Sequence, residues 1–373
     1  MKKSAPEDIG VQNAVPSSGK VKTSAWSAHL VPWRSRIYAI IALGAALIVI
    51  IGIATTIGSV SVPLLDTLQV IIDRIPFVHL SPTWPNGTEI IIMDIRLPRI
   101  ILAGLVGAAL GTAGATYQGL FRNPLADPYL IGVAQGASLG AVIGFLIPIS
   151  GNIMGIGIIP LFAFIGALVS TTIVYILAKQ GKNLPVTTLI LAGVALGALL
   201  NSVVSYLVIS SGDKMHSIIF WMMGSFSLSQ WSDVRLVLPY MAVGTIVILL
   251  YARPLNVMQL DEEQAQQLGI NVERLKLTLL AAATLITAAA VSFVGTIGFV
   301  GIIIPHAVRL IWGADYRFLL PLSVLSGAIF LIIADLVART VLSPTEIPVG
   351  VVTALFGAPF FLYLLRRRRR VIF

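Results

Sequence analysis

The segment PLNVMQLDEEQAQQLGINVERL, residues 254–275, is a polar insertion in a chain that is otherwise mostly apolar. Its centre predicts a short helix. Asp261 can accept hydrogen bonds from the free N–H groups at the start of that helix, and Glu262 and Glu263 suit the positive end of its dipole. Gly269 can end the helix in a left-handed conformation. The segment therefore indicates a compact, capped structure between two hydrophobic stretches.

Apolar residues accompany this short polar helix. Leu260, Ala265 and Leu268 predict an apolar side, and Asn271 can begin the next helix. A capped helix of this kind at a membrane surface favours contact with another protein. Two alternatives are a solvated loop and a helix that lies flat on lipid headgroups.

The composition places the chain among membrane proteins. Of its 373 residues, 57% are apolar and 11% are charged, and its mean hydropathy is +0.94. A soluble domain carries about 25% charged residues. The absence of cysteine excludes a disulfide framework and a thiolate site. The net charge of +9 does not indicate nucleic-acid binding, because the basic residues lie beside hydrophobic stretches, where they set topology.

Ten apolar stretches predict the fold. A mostly apolar segment of about 20 residues can cross a bilayer as a helix. We therefore predict an all-α membrane protein with about ten transmembrane helices. The stretches lie near residues 37–58, 97–120, 128–148, 154–177, 187–210, 234–251, 277–295, 297–312, 318–338 and 347–365. The segment Ile218–Phe226 is too short to cross and is expected to be interfacial or re-entrant.

Basic residues predict the orientation. With ten spans both termini lie on one side, and that side carries 19 of the 25 Lys and Arg residues. Because positive charge favours the cytoplasm, both termini and the segment 254–276 are predicted to be cytoplasmic. Residues 1–36 are predicted to form a disordered basic tail, residues 37–365 the ten-span domain, and residues 366–373 a basic cytoplasmic C-terminus.

Glycines recur at helical spacing in three of the spans. Small residues on one face let helix backbones approach closely inside a membrane. The pattern predicts a tightly packed bundle. The three stripes are Gly104, Gly107, Gly111 and Gly114; Gly132, Gly136 and Gly140; and Gly193 and Gly197.

Ser138 lies in a G-x-S-x-G pattern, residues 136–140, within the third span. A nucleophile elbow needs a strand, a sharp turn and a helix, with a positioned histidine. Helix packing explains the two glycines without any chemistry. An intramembrane hydrolase at Ser138 is nevertheless one alternative function.

The energy source for transport is not encoded in this chain. The sequence contains no G-x-x-x-x-G-K-[ST] phosphate loop. An ion-driven carrier needs ionisable groups inside its spans, and the best candidate here is Asp335. Arg339 lies four residues after Asp335, so an ion pair within one helix also explains it. Transport driven by a separate ATPase is the favoured interpretation, and a secondary carrier using Asp335 is the alternative.

Three arginines lie at the outer ends of spans. Arg96 and Arg99 begin the second span and Arg339 ends the ninth. They can extend to lipid headgroups, or they can bind acidic residues of a soluble partner. Because arginine on the outer side runs against the positive-inside bias, docking is favoured.

Two inner turns are candidates for a cytoplasmic constriction. The turn at residues 121–128 contains two prolines and Leu125, and Val186 and Thr187 begin the fifth span. Asn123 and Asp127 can bond to nearby backbone in that turn. Leu125, Val186 and Thr187 together predict a narrow point near the cytoplasm.

Eight short motifs are distributed through the apolar part of the chain. They are Arg96-Leu97-Pro98-Arg99, Asn123-Pro124-Leu125-Ala126-Asp127-Pro128, Leu191-Ala192-Gly193-Val194-Ala195-Leu196-Gly197, Trp221-Met222-Met223-Gly224, Gly298-Phe299-Val300-Gly301, Ile304-Pro305-His306, Ala334-Asp335-Leu336-Val337-Ala338-Arg339 and Pro348-Val349-Gly350-Val351-Val352-Thr353. In their order and spacing, over residues 37–365, they resemble the iron-complex and cobalamin permease family of ABC importers.

The resemblance implies a ten-span permease subunit of the inner membrane, without catalytic residues, that pairs with a second copy or a paralogue. It implies two ATPase subunits below the chain and a substrate-binding protein outside. ATP and Mg²⁺ belong to the ATPase, and the chain holds no cofactor or metal. The implied cargo is a metal chelate, with a ferric siderophore first and cobalamin or haem next.

The resemblance also implies roles for individual residues. Outer docking falls on Arg96, Arg99 and Arg339, and the cytoplasmic gate on Leu125, Val186 and Thr187. Where relatives carry a small polar residue, this chain has Val186. The residues implied in ATPase coupling are Leu260, Asp261, Glu262, Glu263, Ala265, Gln266, Leu268, Gly269 and Arg274.

Overall fold

A computed structural model describes residues 32–58, 60, 62–74, 84–85, 87–148, 152–153 and 156–372. The tail predicted for residues 1–36 therefore lies almost wholly outside the described residues. The α-helices are α1 Trp33–Thr56, α2 Leu64–Asp73, α3 Thr88–Ile90, α4 Leu97–Leu120, α5 Val133–Leu146, α6 Ile158–Ala178, α7 Val186–Ile209, α8 Met215–Met222, α9 Trp231–Leu250, α10 Ala252–Val257, α11 Glu262–Gln267, α12 Val272–Val294, α13 Val300–Trp312, α14 Tyr316–Thr340 and α15 Val349–Ile372.

Short irregular elements join these helices. A π-helical segment, Ile91–Arg96, leads directly into α4, and 3₁₀ turns occupy Pro128–Ile131 and Gly212–Lys214. Strands β1 (Asn152–Ile153) and β2 (Ile156–Gly157) form an antiparallel pair before α6. The described chain is thus nearly all helix, as the sequence predicts.

Within the described ranges, six helices are long and apolar enough to cross a membrane, and they are α1, α6, α7, α9, α12 and α14. Shorter apolar helices cover Val133–Leu146, Val300–Trp312 and Val349–Tyr363. Each of the ten predicted stretches overlaps an α-helix, although α5 and α13 have only 14 and 13 residues, and the predicted range 97–120 has the bounds of α4. The short helix α8 agrees with the prediction that residues 218–226 do not cross.

Glycines bring the central helices into backbone contact. A Cβ atom on Gly107 of α4 would lie 2.2 Å from the carbonyl oxygen of Gly327 in α14, and one on Gly114 would lie 1.9 Å from that of Gly301. In α5, a Cβ atom on Gly140 would lie 2.0 Å from the carbonyl oxygen of Phe162 in α6. The prediction of close packing is confirmed. Gly132 departs from it, because it has φ +81° and ends the turn before α5.

The helices differ in how far their neighbours cover them. In the most apolar 18 residues of each helix, 72% of α12 is buried but only 17% of α7. Nearly every residue of α4 is buried as well. The core of the chain therefore lies around α4, α12 and α14, and α7 lies at its periphery.

Candidate functional site

The polar segment folds as the capped helix that its sequence predicts. Asp261 precedes α11, and its Oδ1 accepts a hydrogen bond of 2.6 Å from the backbone N–H of Glu262. Gly269 has φ +84°, and Asn271 Oδ1 accepts a bond of 3.0 Å from the N–H of Arg274 at the start of α12. These three predictions are confirmed. A further short helix, α10, begins just before the segment and includes its first four residues, and it was not predicted.

The surface of this segment differs from the predicted apolar side. Ala265 is buried, whereas Leu260 and Leu268 are 59% and 64% exposed. The prediction that these three residues share one side is wrong. The reason is that α11 has only six residues, so both leucines lie outside it and do not follow its period. Two exposed leucines flanked by exposed Glu263 and Gln266 form a surface that suits a protein partner.

One contact joins the segment to the inner turn at residues 121–128. Arg122 Nη1 lies 3.4 Å from Asp261 Oδ1 in a largely exposed ion pair. In the same turn the N–H of Leu125 donates to Asn123 Oδ1 at 3.0 Å, and the N–H of Tyr129 donates to Asp127 Oδ1 at 2.8 Å. The predicted bonds of Asn123 and Asp127 to nearby backbone are confirmed.

A second, buried contact joins α11 to the segment before α7. The Lys276 Nζ donates to Glu262 Oε2 at 2.7 Å, to Glu273 Oε1 at 3.3 Å and to the carbonyl oxygen of Leu184 at 3.3 Å. Glu273 Oε2 accepts a bond of 3.0 Å from the N–H of Leu184. A buried ammonium group that is shared by two carboxylates fixes these elements together.

The predicted gate residues lie close to these two contacts. Leu125 is half-buried in the turn that follows Arg122, and Val186 and Thr187 are the first residues of α7, just after Leu184. The 3₁₀ turn after Leu125 packs on α7. Both predicted gate segments are therefore next to α11, and their role as a gate stays a prediction.

The outer arginine Arg99 is bonded inside the chain. It is 8% exposed, and its Nε and Nη2 donate to Asp335 Oδ1 at 3.0 and 2.8 Å. Its Nη1 donates to Glu346 Oε1 at 2.8 Å. Asp335 is 2% exposed and also lies 3.8 Å from Arg339 Nε, which is the predicted pair within α14. Since two arginines already neutralise Asp335, the ion-coupled alternative gains no support.

The other two outer arginines hold the end of α1. Arg96 Nη1 donates to the carbonyl oxygens of Thr55 and Thr56 at 2.7 and 3.0 Å, and Arg339 Nη2 donates to that of Ala54. Both side chains are buried. These bonds satisfy carbonyl groups that the last turn of a helix leaves free. The structure thus assigns all three arginines internal contacts, and their docking role stays a prediction.

Glu346 completes the outer cluster. Its Oε1 accepts from Arg99, and its Oε2 accepts from the Ser227 hydroxyl in the loop after α8. Burial raises the pKa of Glu346, but the hydrogen bonds from Arg99 and Ser227 outweigh that effect and hold the pKa below its ordinary value. Glu346 is therefore charged at neutral pH.

Ser138 has the surroundings of a packing residue. It is buried within α5, with no strand and no turn beside it. Cβ atoms on Gly136 and Gly140 would meet the carbonyl oxygens of Gly166 and Phe162 at 2.4 and 2.0 Å. The geometry of a nucleophile elbow is absent here.

A sequence model of the FecCD transport family matches residues 46–367 of this chain. The chain belongs to the FecCD transport family. The cobalamin import system permease protein of Halobacterium salinarum is 50% identical over 284 residues, which are 76% of this chain and 75% of that protein. The hemin transport system permease protein of Yersinia pestis is 42% identical over 286 residues, which are 74% of this chain and 83% of that protein.

A solved structure supports the same assignment. It is described as an inward-facing conformation of a metal-chelate type ABC transporter, and it matches with a TM-score of 0.76 and 30% identity. The match covers 89% of this chain and 99% of the solved chain. This FecCD-family chain is thus a non-catalytic, multi-pass permease subunit of an ABC importer in the inner membrane, and it works with ATPase and binding-protein components.

Two functional candidates in this FecCD-family chain escaped the sequence analysis. Lys276 was counted only as a basic residue, and Glu346 was not singled out. A lysine near the start of an apolar helix, three residues after a glutamate, was an available signal for Lys276. The pairing of Glu346 with Arg99 joins residues 247 positions apart, and no spacing rule reveals it.

Proposed function

We propose that this permease imports a metal chelate by alternating access, in a complex with a second permease copy or paralogue. Two ATPase subunits would bind below it and a substrate-binding protein outside it. ATP and Mg²⁺ would be held by the ATPase subunits, so this chain would need no cofactor. The observation that carries the proposal is the set of contacts around α11. Asp261 pairs with Arg122 beside one predicted gate segment, and Glu262 is joined through Lys276 to Leu184 beside the other, while Leu260 and Leu268 are exposed.

The proposed topology has ten spans with both termini in the cytoplasm. Support comes from the α-helices that overlap each of the ten predicted stretches, six of them long and apolar enough to span among the described residues, and from the distribution of basic residues. In this arrangement residues 1–36 and 366–373 are cytoplasmic ends of a permease domain at residues 37–365. The coupling segment at 254–276 is then on the same side as both ends.

Coupling would work through the two contacts of α11. An ATPase that moves Leu260 and Leu268 would displace α11. The buried bonds from Glu262 to Lys276 and from Lys276 to Leu184 would carry that displacement to the start of α7. The ion pair of Asp261 would carry it to the turn with Leu125. The whole proposed coupling set is Leu260, Asp261, Glu262, Glu263, Ala265, Gln266, Leu268, Gly269 and Arg274.

The proposed pathway follows the exposed part of α7. A cavity of about 460 Å³ lies between α7 and the turn before α5, and Asp127, Gln135 and Asn201 are among its polar lining residues. Thr187 and Asn201 are exposed on this helix. A second permease subunit would cover α7 and close the pathway, with the gate at Leu125, Val186 and Thr187.

The proposed outer docking uses the arginine cluster. Arg99 is bonded to Glu346, whose side chain is 34% exposed. A carboxylate of the binding protein would therefore compete with Glu346 for Arg99, while Arg96 and Arg339 keep α1 in place. Glu346→Gln, which removes the competing carboxylate and leaves the three arginines in place, should strengthen binding-protein affinity, and unchanged affinity would remove this part of the proposal.

The cargo is proposed from the relatives together with the resemblance. The names of two relatives specify cobalamin and hemin. We place cobalamin level with a ferric siderophore, and haem after them. Binding of each of the three chelates to the partner binding protein, measured by calorimetry, would identify the cargo.

The test of coupling is reconstitution in proteoliposomes with the ATPase and the binding protein. The Leu260→Asp/Leu268→Asp double variant should lose ATPase association and chelate uptake, because charge replaces the apolar contact. A matched control for ATPase association is Leu228→Asp, since Leu228 is 89% exposed and lies beside Ser227, at the end of the chain where no ATPase is proposed to bind. Uptake by the double variant at the rate of the wild type would refute coupling through this surface.

A further inference from the structure

Two cavities adjoin at the end of α6. The first has about 250 Å³ and includes Lys179, Lys182 and Arg274 in its wall. The second has about 380 Å³ and runs between α6 and α12. Tyr175 and Leu277 line both, so the two form one continuous feature. One part of it is basic and the other is an apolar groove.

The basic part carries positive charge that the described chain does not neutralise. Lys179, Lys182 and Arg274 are exposed, and none of them forms an ion pair with a carboxylate in the part of the chain that the structure describes. Glu273 also lines this cavity, but its oxygens are bonded to Lys276 and to the N–H of Leu184. The cavity therefore has a net positive charge available to an anion.

Aromatic contact positions one of these charges. Lys179 Nζ lies 5.8 Å from the ring centroid of Tyr175, within the range of a cation–π interaction. Tyr175 lines both cavities, so the ammonium group of Lys179 is held where the basic part meets the groove.

The groove presents hydrocarbon to its occupant. It is lined by leucines and alanine together with threonines of α6 and α12. The hydroxyl groups of Thr171 and Thr172 donate to the backbone of their own helix, at 3.0 Å to Ala167 and 2.7 Å to Leu168. Their methyl groups are thus left to line the wall. Both α6 and α12 are long and apolar enough to cross the membrane.

We propose that this feature binds an anionic glycerophospholipid. The phosphate group would lie among Lys179, Lys182 and Arg274, and one acyl chain would lie in the groove between α6 and α12. Basic pockets between helices at the cytoplasmic face are suited to anionic headgroups. A soluble phosphate would leave the groove without an occupant, so the lipid is the source that fits both parts. The site depends on the membrane location of the chain and not on its transport activity.

The test measures lipid retained by the purified full-length chain, using native mass spectrometry after exchange into mixed phosphatidylglycerol and phosphatidylcholine. The wild type should retain phosphatidylglycerol selectively. Lys179→Gln/Lys182→Gln should lower that affinity by about twenty-five-fold, since each basic residue near the surface contributes a factor of about five. Arg274 stays unchanged because it also belongs to the proposed coupling set.

Two further variants separate the parts of the site. Ala281→Trp should fill the groove and reduce retention with every basic residue in place, because Ala281 lines only the second cavity. The control Arg34→Gln/Arg253→Gln removes two exposed basic residues elsewhere and should retain the lipid as the wild type does.

Three results would overturn the proposal. One is equal retention of the two lipids by the wild type, and another is unchanged retention in Lys179→Gln/Lys182→Gln. The third is complete displacement of the lipid by inorganic phosphate at millimolar concentration, which would identify a soluble-anion site. None of these measurements uses the ATPase, so they are independent of whether the proposed import is correct.

Discussion

The arginine cluster, predicted to lie outside, and the segment around α11, predicted to be cytoplasmic, were both predicted from sequence to bind partner proteins, yet they are built in opposite ways. At the outer end, Arg99 and Asp335 are 8% and 2% exposed and bonded to each other. At the inner end, Leu260 and Leu268 are 59% and 64% exposed. One end buries its charges, and the other exposes its apolar residues.

The difference teaches which sequence signals indicate a binding surface. Charged residues at the end of a span can form ion pairs within the chain, because an unpaired charge near the bilayer costs free energy. An exposed leucine beside a polar helix is not explained by contacts within the chain. The segment around α11 is therefore the better supported contact surface, and the arginine cluster first of all holds helices of this chain together. Four substitutions test this distinction.

The largest effect is expected at Arg99. Arg99→Ala leaves Asp335 and Glu346 without their main partner, and a broken buried pair costs about 3–5 kcal/mol. The midpoint of thermal unfolding in detergent should fall sharply. Arg99→Ala/Asp335→Ala should recover part of the loss, because it removes the unpaired charge as well. An unfolding midpoint for Arg99→Ala equal to that of the wild type would mean that the cluster does not stabilise the fold.

A smaller effect is expected at Lys276. Lys276→Met removes the shared partner of Glu262 and Glu273, whose side chains are each 31% exposed and so keep some hydration. The free energy of unfolding should fall by about 1–3 kcal/mol. Chelate-stimulated ATP hydrolysis, measured below the unfolding temperature, should fall further than basal hydrolysis. Lys276→Arg should restore the stimulation. Equal losses of the stimulated and the basal rate in Lys276→Met would mean that Lys276 acts only in stabilising the fold.

Glu346 should contribute in a pH-dependent way. Its pKa is lowered in the folded chain, so it contributes stability above its unfolded pKa of about 4.3, and that contribution is lost as pH falls through the lower folded pKa. Glu346→Gln should therefore lower stability by about 1 kcal/mol at pH 7. The gap between wild type and variant should close on acidification. A gap of constant size from pH 7 to pH 3 would contradict the assigned charge.

The smallest effect is expected at Arg122. Its ion pair with Asp261 joins side chains that are 40% and 51% exposed. Such surface pairs contribute about 0–1 kcal/mol. Arg122→Gln should leave the unfolding midpoint almost unchanged while lowering the efficiency of coupling in proteoliposomes. A loss of stability as large as that of Arg99→Ala would erase the contrast between the two ends.

Local patterns in the sequence predicted most of the fold. Long apolar runs gave the positions of the spanning helices, and the caps at Asp261, Gly269 and Asn271 depend only on neighbouring residues. The outer amphipathic helix α2 was missed because it has only 10 residues and no long apolar run.

Long-range pairing limited the prediction of the site. Arg99 bonds to Asp335 across 236 positions, and Lys276 bonds to Leu184 across 92. Helical spacing predicts only Arg339 as a partner of Asp335, and Arg339 Nε lies 3.8 Å from Asp335 Oδ2, farther than Arg99 Nη2 lies from Oδ1. Which charges are buried depends on how distant helices meet, and a single sequence does not contain that information.

The contact between Gly107 and Gly327 has a mechanical consequence. A Cβ atom added at Gly107 would lie only 2.2 Å from the carbonyl oxygen of Gly327, so the backbones of α4 and α14 meet here with no side chain between them. We therefore expect α4 and α14 to move as one rigid body when the transport pathway opens and closes. Spin labels placed on both should keep a constant separation, while a label on the thinly covered α7 changes its distance to either.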